Sequence, residues 1–127
     1  MQTLFKTFLL LIIILLTACN QNEDKLNPPD PLIGYWINPE YVDDQMTLMK
    51  SSNFNENDYG IAFFEDGTLI ERSSGLCGTP PITYSDFEGT WTKTNTTIDM
   101  TMINQWIDEI QWDIINLEDD KLVVVWQ

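Results

Sequence analysis

Four side-chain sets in this 127-residue chain have types and spacings that suit chemistry, and the inventory narrows quickly. There are two cysteines, Cys19 and Cys77, and no histidine. Without histidine there is no His-based triad, no Cys–His dyad and no His-ligated zinc site. Asn53, Asn55, Asn57 and Asp58 have the first spacings of a calcium loop. The sixth position is Asp58 where the turn needs glycine, however, and the twelfth is Phe64 where a bidentate Glu belongs. Met46, Met49, Met100 and Met102 offer thioethers for copper, with no accompanying motif. The acid pairs Asp43-Asp44, Glu65-Asp66 and Asp119-Asp120 read as turn and edge carboxylates that keep sheet edges from aggregating. A glycosidase needs two carboxylates across a cleft, and no pair is placed that way by spacing alone. The reading is therefore not an enzyme. Acids outnumber Lys and Arg by 20 to 6, giving a formal charge of −14, which argues against nucleic acid as a partner.

Cys19 has a different use. Lys6 is the single charge before position 18, and an unbroken apolar run, Phe8 to Leu16, follows it. That run is too short for a permanent membrane span and fits the core of an export signal. Leu16-Thr17-Ala18-Cys19 comes next and resembles the bacterial lipobox. The resemblance implies cleavage after Ala18 and acylation of Cys19, an anchor in which each buried CH₂ contributes about 0.8 kcal/mol. Asn20 stands where an Asp would favour inner-membrane retention, so the expected address is the outer membrane, on its periplasmic face or at the cell surface. Residues 1–18 are then the signal and 19–31 a polar, Pro-rich tether. With Cys19 lipidated, Cys77 has no intramolecular partner. Its irregular setting, Gly75 to Pro81, suits a structural or incidental thiol, with an intermolecular disulfide or a reactive site as alternatives.

From Leu32 the pattern is period two with frequent turn signals, so the fold class is all-β. Eight strands are predicted, over about 33–38, 45–50, 59–64, 68–73, 87–93, 97–102, 107–117 and 121–126, the first ended by Pro39. Asp66-Gly67 is a strong hairpin signal because both central positions favour φ > 0. Short connections predict an up-and-down antiparallel barrel, closed on itself to cover its apolar face and its edges. The seventh strand changes phase: Trp106, Ile110, Trp112 and Ile114 share one face, Ile115 and Leu117 the other. A bulge near Ile114-Ile115 reconciles them. A short helical turn over 102–110 is the alternative there.

This arrangement is similar to the lipocalin-like families of small bacterial lipoproteins. The resemblance rests on Gly34-Tyr35-Trp36, on Phe63-Phe64-Glu65-Asp66-Gly67 followed by Thr68-Leu69, and on Gly89-Thr90-Trp91. It rests also on the closing pair Ile114-Ile115-Asn116-Leu117 and Leu122-Val123-Val124. It covers 32–127 and implies an eight-stranded barrel with a binding or carrier role and no catalysis. The domain is shorter than a typical lipocalin, which implies a shallow or collapsed calyx.

Trp36, Phe63, Trp91, Met100, Met102, Trp112 and Trp126 are the inward residues that would line a pocket for a small apolar or amphipathic ligand. Eight strands leave an interior barely wide enough for side chains, so the same seven residues equally suit a filled core. In that case the protein is an interaction module. Its docking surface for an envelope protein is the 74–86 loop, apolar through Leu76, Ile82 and Tyr84.

Overall fold

A computed structural model describes residues 27–75, 80–103 and 105–127. Cys19 with the segment that resembles a lipobox, and Cys77 with Leu76, lie outside the described residues. Eight strands follow one another: β1 Gly34–Val42, β2 Gln45–Ser51, β3 Gly60–Phe63, β4 Thr68–Ser73, β5 Ser85–Thr94, β6 Thr97–Met102, β7 Glu109–Leu117 and β8 Lys121–Trp126. All pair antiparallel and close into a barrel, the architecture that alternation predicts. Between β6 and β7, where a short helical turn is the alternative, the described residues form an irregular connection and no helix.

The neighbour order departs from a simple up-and-down path at one place. It runs β1-β2-β8-β7-β6-β5-β4-β3, so β1 lies between β2 and β3. Both partners are antiparallel to β1 and therefore parallel to each other, and a hairpin cannot join them. The connection 52–59 crosses over the outside of β1 instead. Phe54 packs there, its ring 4.9 Å from that of Tyr35 and edge-on to it. The Asn55 amide donates to the Asn38 side chain at 2.8 Å.

Pro39 does not end β1. The strand bulges, with a register shift between Ile37 and Glu40 and Asn38 at φ 55°, and then pairs on to Val42. A proline is tolerated at a bulge because no ladder N–H is required of it. The bulge expected in β7 is present: Ile114 faces Val124, Asn116 faces Val123, and Ile115 is the extra residue, 55% exposed. Its insertion resets the phase, so Leu117 turns inward to pack on the core.

Alternation then fills the interior. Trp36, Met46, Leu48, Ile61, Phe63, Leu69, Ile98, Met100, Met102, Trp112, Leu122 and Val124 are all buried. One end of the barrel is closed by the chain that leads into β1. Leu32 is fully buried, and its carbonyl accepts the Trp36 indole N–H at 2.7 Å. Asp30 and Pro31, at the end of the predicted tether, are fastened to this floor. Lys93 ion-pairs with Asp30, and the Lys50 ammonium donates to the Pro31 carbonyl at 2.8 Å while lying 4.9 Å over the Trp36 ring. The Asp66-Gly67 turn is at the same end. Gly67 takes φ 84°, and Asp66 accepts from the Thr68 amide at 3.0 Å.

Candidate functional site

The opposite end is open. It is built from the Asp43-Asp44 turn, the residues entering β3, the end of β4, the start of β5, the segment joining β6 to β7, and the end of β8. A cleft of about 390 Å³ opens there between β4, β5, β7, β8 and the 105–107 segment. Its apolar wall is Phe87, Ile110, Trp126, Trp106 and Ile107; its polar residues include Glu71, Gln105 and the backbone turn at Ser73-Ser74.

Strand geometry explains this lining. On β4, Leu69 and Glu71 share the inward phase, with Ile70 and Arg72 outward. Glu71 faces Ile61 on β3 and Phe87 on β5, so a carboxylate stands in an otherwise apolar row. The Gln105 amide donates to its Oε2 at 3.1 Å, and the Tyr59 hydroxyl is within hydrogen-bonding reach. Burial pushes the Glu71 carboxyl above its ordinary value, against the opposing pull of these two donors. Burial likewise pushes the Tyr59 hydroxyl well up, and the nearby Glu71 charge adds to that shift. Above Glu71 the rim is aromatic. Trp126 is 49% exposed, stacks on Tyr41 with centroids 6.0 Å apart and planes 14° apart, and meets Trp112 edge-on at 6.1 Å. Trp106 is 92% exposed.

Charges divide between the two ends. Among the described residues, Lys50, Lys93 and Lys121 all lie at the closed end, Lys121 beside Glu118. The open end has one described cation, Arg72, and it is fully engaged. Its guanidinium forks onto Asp86 at 2.7 and 3.0 Å, donates to the Asn55 carbonyl at 3.0 Å, and lies 4.8 Å from the centre of the Phe54 ring. Asp43, Asp44, Asp58 and Asp108 lie in connections at this same end.

The seven predicted pocket residues come together, but mainly as packing. Trp36, Phe63, Met100, Met102 and Trp112 are buried in one cluster. Trp91 packs against that cluster nearer the floor, edge-on to Phe63 at 5.4 Å, and its indole donates to the Phe64 carbonyl at 3.0 Å. Trp126 alone of the seven borders the cleft. The Trp112 indole N–H is buried without a described protein partner. Glu71 and Gln105 were not singled out by sequence, and Phe87 and Ile110 were read only as members of one strand face and not as site residues, although an acid in the inward phase of β4 is a visible signal for Glu71.

The other sequence candidates have structural occupations. Asn53 and Asp58 accept from the backbone amides of the residues after them, and Asn55 holds Asn38, all within the crossover. Met46, Met100 and Met102 point into the core while Met49 lies on the outer face, so the four thioethers do not converge. On the 74–86 loop, Ile82 is 53% exposed. No family model, curated protein or solved structure matches the chain.

Proposed function

We propose that this protein is a lipid-anchored, lipocalin-like carrier in the outer envelope of a Gram-negative bacterium. It binds a small apolar or amphipathic ligand at the open end of its barrel, and it catalyses no reaction. The observation that carries this reading is the asymmetry of the barrel: Leu32 and Trp36 seal one end, and a half-open aromatic cleft occupies the other. The cleft volume, about 390 Å³, is in the lower part of the range for small-molecule sites. A shallow site above a packed core also agrees with a domain shorter than the usual lipocalin.

The anchor is Cys19, through its lipobox-like context. An acidic domain is repelled by anionic lipid heads, so acyl chains rather than surface charge hold it at the membrane. Mass spectrometry of the processed protein tests the anchor: a mature chain starting at Cys19 and carrying acyl mass is expected, and an unmodified cysteine there refutes it. Binding is tested by titrating ten-carbon amphiphiles while following tryptophan emission, with calorimetry in parallel. Saturable binding of at least one headgroup class is expected, and heat-silent titrations with every class refute the carrier.

A second reading has its own observation. Ile82 projects from the 74–86 loop, as an apolar side chain docking an envelope protein would. Replacing Ile82 with Asp and finding an unchanged set of cross-linked envelope proteins removes that reading.

A further inference from the structure

The cleft carries one carboxylate, Glu71, in its apolar lining. We infer that its ligand is a cationic amphiphile, an ammonium or quaternary amine on a short apolar body, with Glu71 as counter-ion. The inference rests on the carrier reading and specifies the ligand of that same site.

Three independent features point the same way. The first is Glu71 itself, a carboxylate facing the cleft with no described Lys or Arg in ion-pair contact. Its hydrogen-bond donors, Gln105 and Tyr59, are both neutral, so its charge is left uncompensated inside an apolar row. A cation in the cleft supplies the missing partner. The second is the wall. Trp126, Trp106 and Phe87 line the cleft, and an aromatic ring attracts an ammonium through its quadrupole. The third is the surrounding field. Asp43, Asp44, Asp58 and Asp108 belong to connections at this end of the barrel, and its one described cation, Arg72, is consumed by Asp86, Asn55 and Phe54. An end of the barrel with an excess of one sign of charge concentrates ligands of the other sign and disfavours like-charged ones. A fatty-acid carboxylate entering here meets Glu71, with no uncommitted cation among the described residues of the cleft to receive it.

Ionised Glu71 is the form that binds. Burial holds its carboxyl above the ordinary value, and a bound cation lowers it, so binding releases a proton at pH values near the raised value. The titratable groups facing Glu71 are Tyr59 and Tyr41; the charge of Asp58 and the hydroxyl of Tyr84 are felt at Tyr41.

The experiment compares decyltrimethylammonium, decanol and decanoate on the lipid-free mature domain, below their micelle concentrations, by tryptophan emission and calorimetry. The wild type is expected to bind the ammonium at least about tenfold more tightly than the alcohol, and the carboxylate least. Glu71→Gln should bring the ammonium to the alcohol's affinity while leaving the alcohol unchanged. Glu88→Gln, which removes an equal charge from the outer face, should leave all three unchanged. Equal affinities for ammonium and alcohol, or a Glu71→Gln variant that still prefers the ammonium, overturn the cation inference and leave the carrier standing. Silence from all three overturns both. Unaltered circular dichroism and alcohol binding in Glu71→Gln establish that its cleft is intact. Trp126→Leu gives a second reading, a several-fold loss for the ammonium that exceeds the loss for the alcohol.

Discussion

The indole N–H of Trp36 donates to the Leu32 carbonyl at 2.7 Å, so a residue of the first strand also seals the floor of the barrel. Both side chains are fully buried, and Lys50 lies over the Trp36 ring while reaching the Pro31 carbonyl beside Leu32. The chain entering the barrel is thus part of its core. Leu32→Ala should cost about 2–5 kcal/mol of stability, the range for removing a buried leucine whose site relaxes only in part. Urea unfolding of the mature domain measures it. A loss well under 1 kcal/mol would mean that the entering segment is a strap laid over a barrel already closed without it.

At Gly89, β5 lies close against its neighbours. A Cβ built there meets the Thr101 carbonyl oxygen at 2.6 Å and the Met102 sulfur at 3.0 Å. The first of these is backbone in the adjacent strand and cannot swing away. Gly89→Ala should therefore destabilise by about 1–3 kcal/mol, against the usual gain from replacing a strand glycine. Thermal unfolding checks the sign, and a variant at least as stable as wild type would show that β5 and β6 are farther apart in solution.

The strands were legible because burial is encoded locally. Ile98, Met100 and Met102 alternate with Thr97, Asp99 and Thr101, and the strand runs over those six residues. The Ile115 bulge was legible for the same reason, as a break in phase. The order of strands was not, because alternation says which face a residue takes and nothing about which strand lies beside it. The crossover of 52–59 is a product of length and of Phe54 finding Tyr35, neither of which is periodic. Height along the barrel axis is also invisible to alternation. Phe63 and Trp126 have the same inward phase, yet one is deep in the packing and the other stands at the rim. Glu71 was missed because a search for an apolar lining passes over an inward acid, the residue that gives the cleft its character.

Glu71 should leave a signature in the pH dependence of stability. Burial raises its carboxyl above the ordinary 4.5, so the folded chain holds that proton more tightly than the unfolded chain does. With more protons bound in the folded state, stability falls as pH rises. Glu71's contribution is therefore most favourable below 4.5 and is lost as pH climbs through the raised folded value. Asp86 behaves oppositely. The Arg72 hydrogen bonds hold its carboxyl below the ordinary 3.8, so its contribution is present above 3.8 and disappears as pH falls through the lower folded value. Melting temperatures of wild type and Glu71→Gln across the weakly acid range separate the two. The wild type should lose ground to the variant steadily as pH rises above 4.5. A constant gap between them over that range would mean that Glu71 titrates like an exposed carboxyl.

Arg72 ties the crossover to the sheet through three different contacts at once: the Asp86 fork, the Asn55 carbonyl and the Phe54 ring. The fork is solvent-facing, and exposed ion pairs contribute little to global stability, about 1 kcal/mol or less. The effect of Arg72→Met should accordingly be local. Methionine keeps apolar contact with Phe54 but drops the hydrogen bonds and the charge. Amide exchange in 52–59 should accelerate several-fold while exchange in β6 and β8 stays at the wild-type rate. The same variant frees Asp86, making the open end more acidic, so a cationic ligand should bind no worse and somewhat faster at low salt. If exchange accelerates uniformly around the barrel, the crossover is integral to closure, and β1 depends on it for its place between β2 and β3.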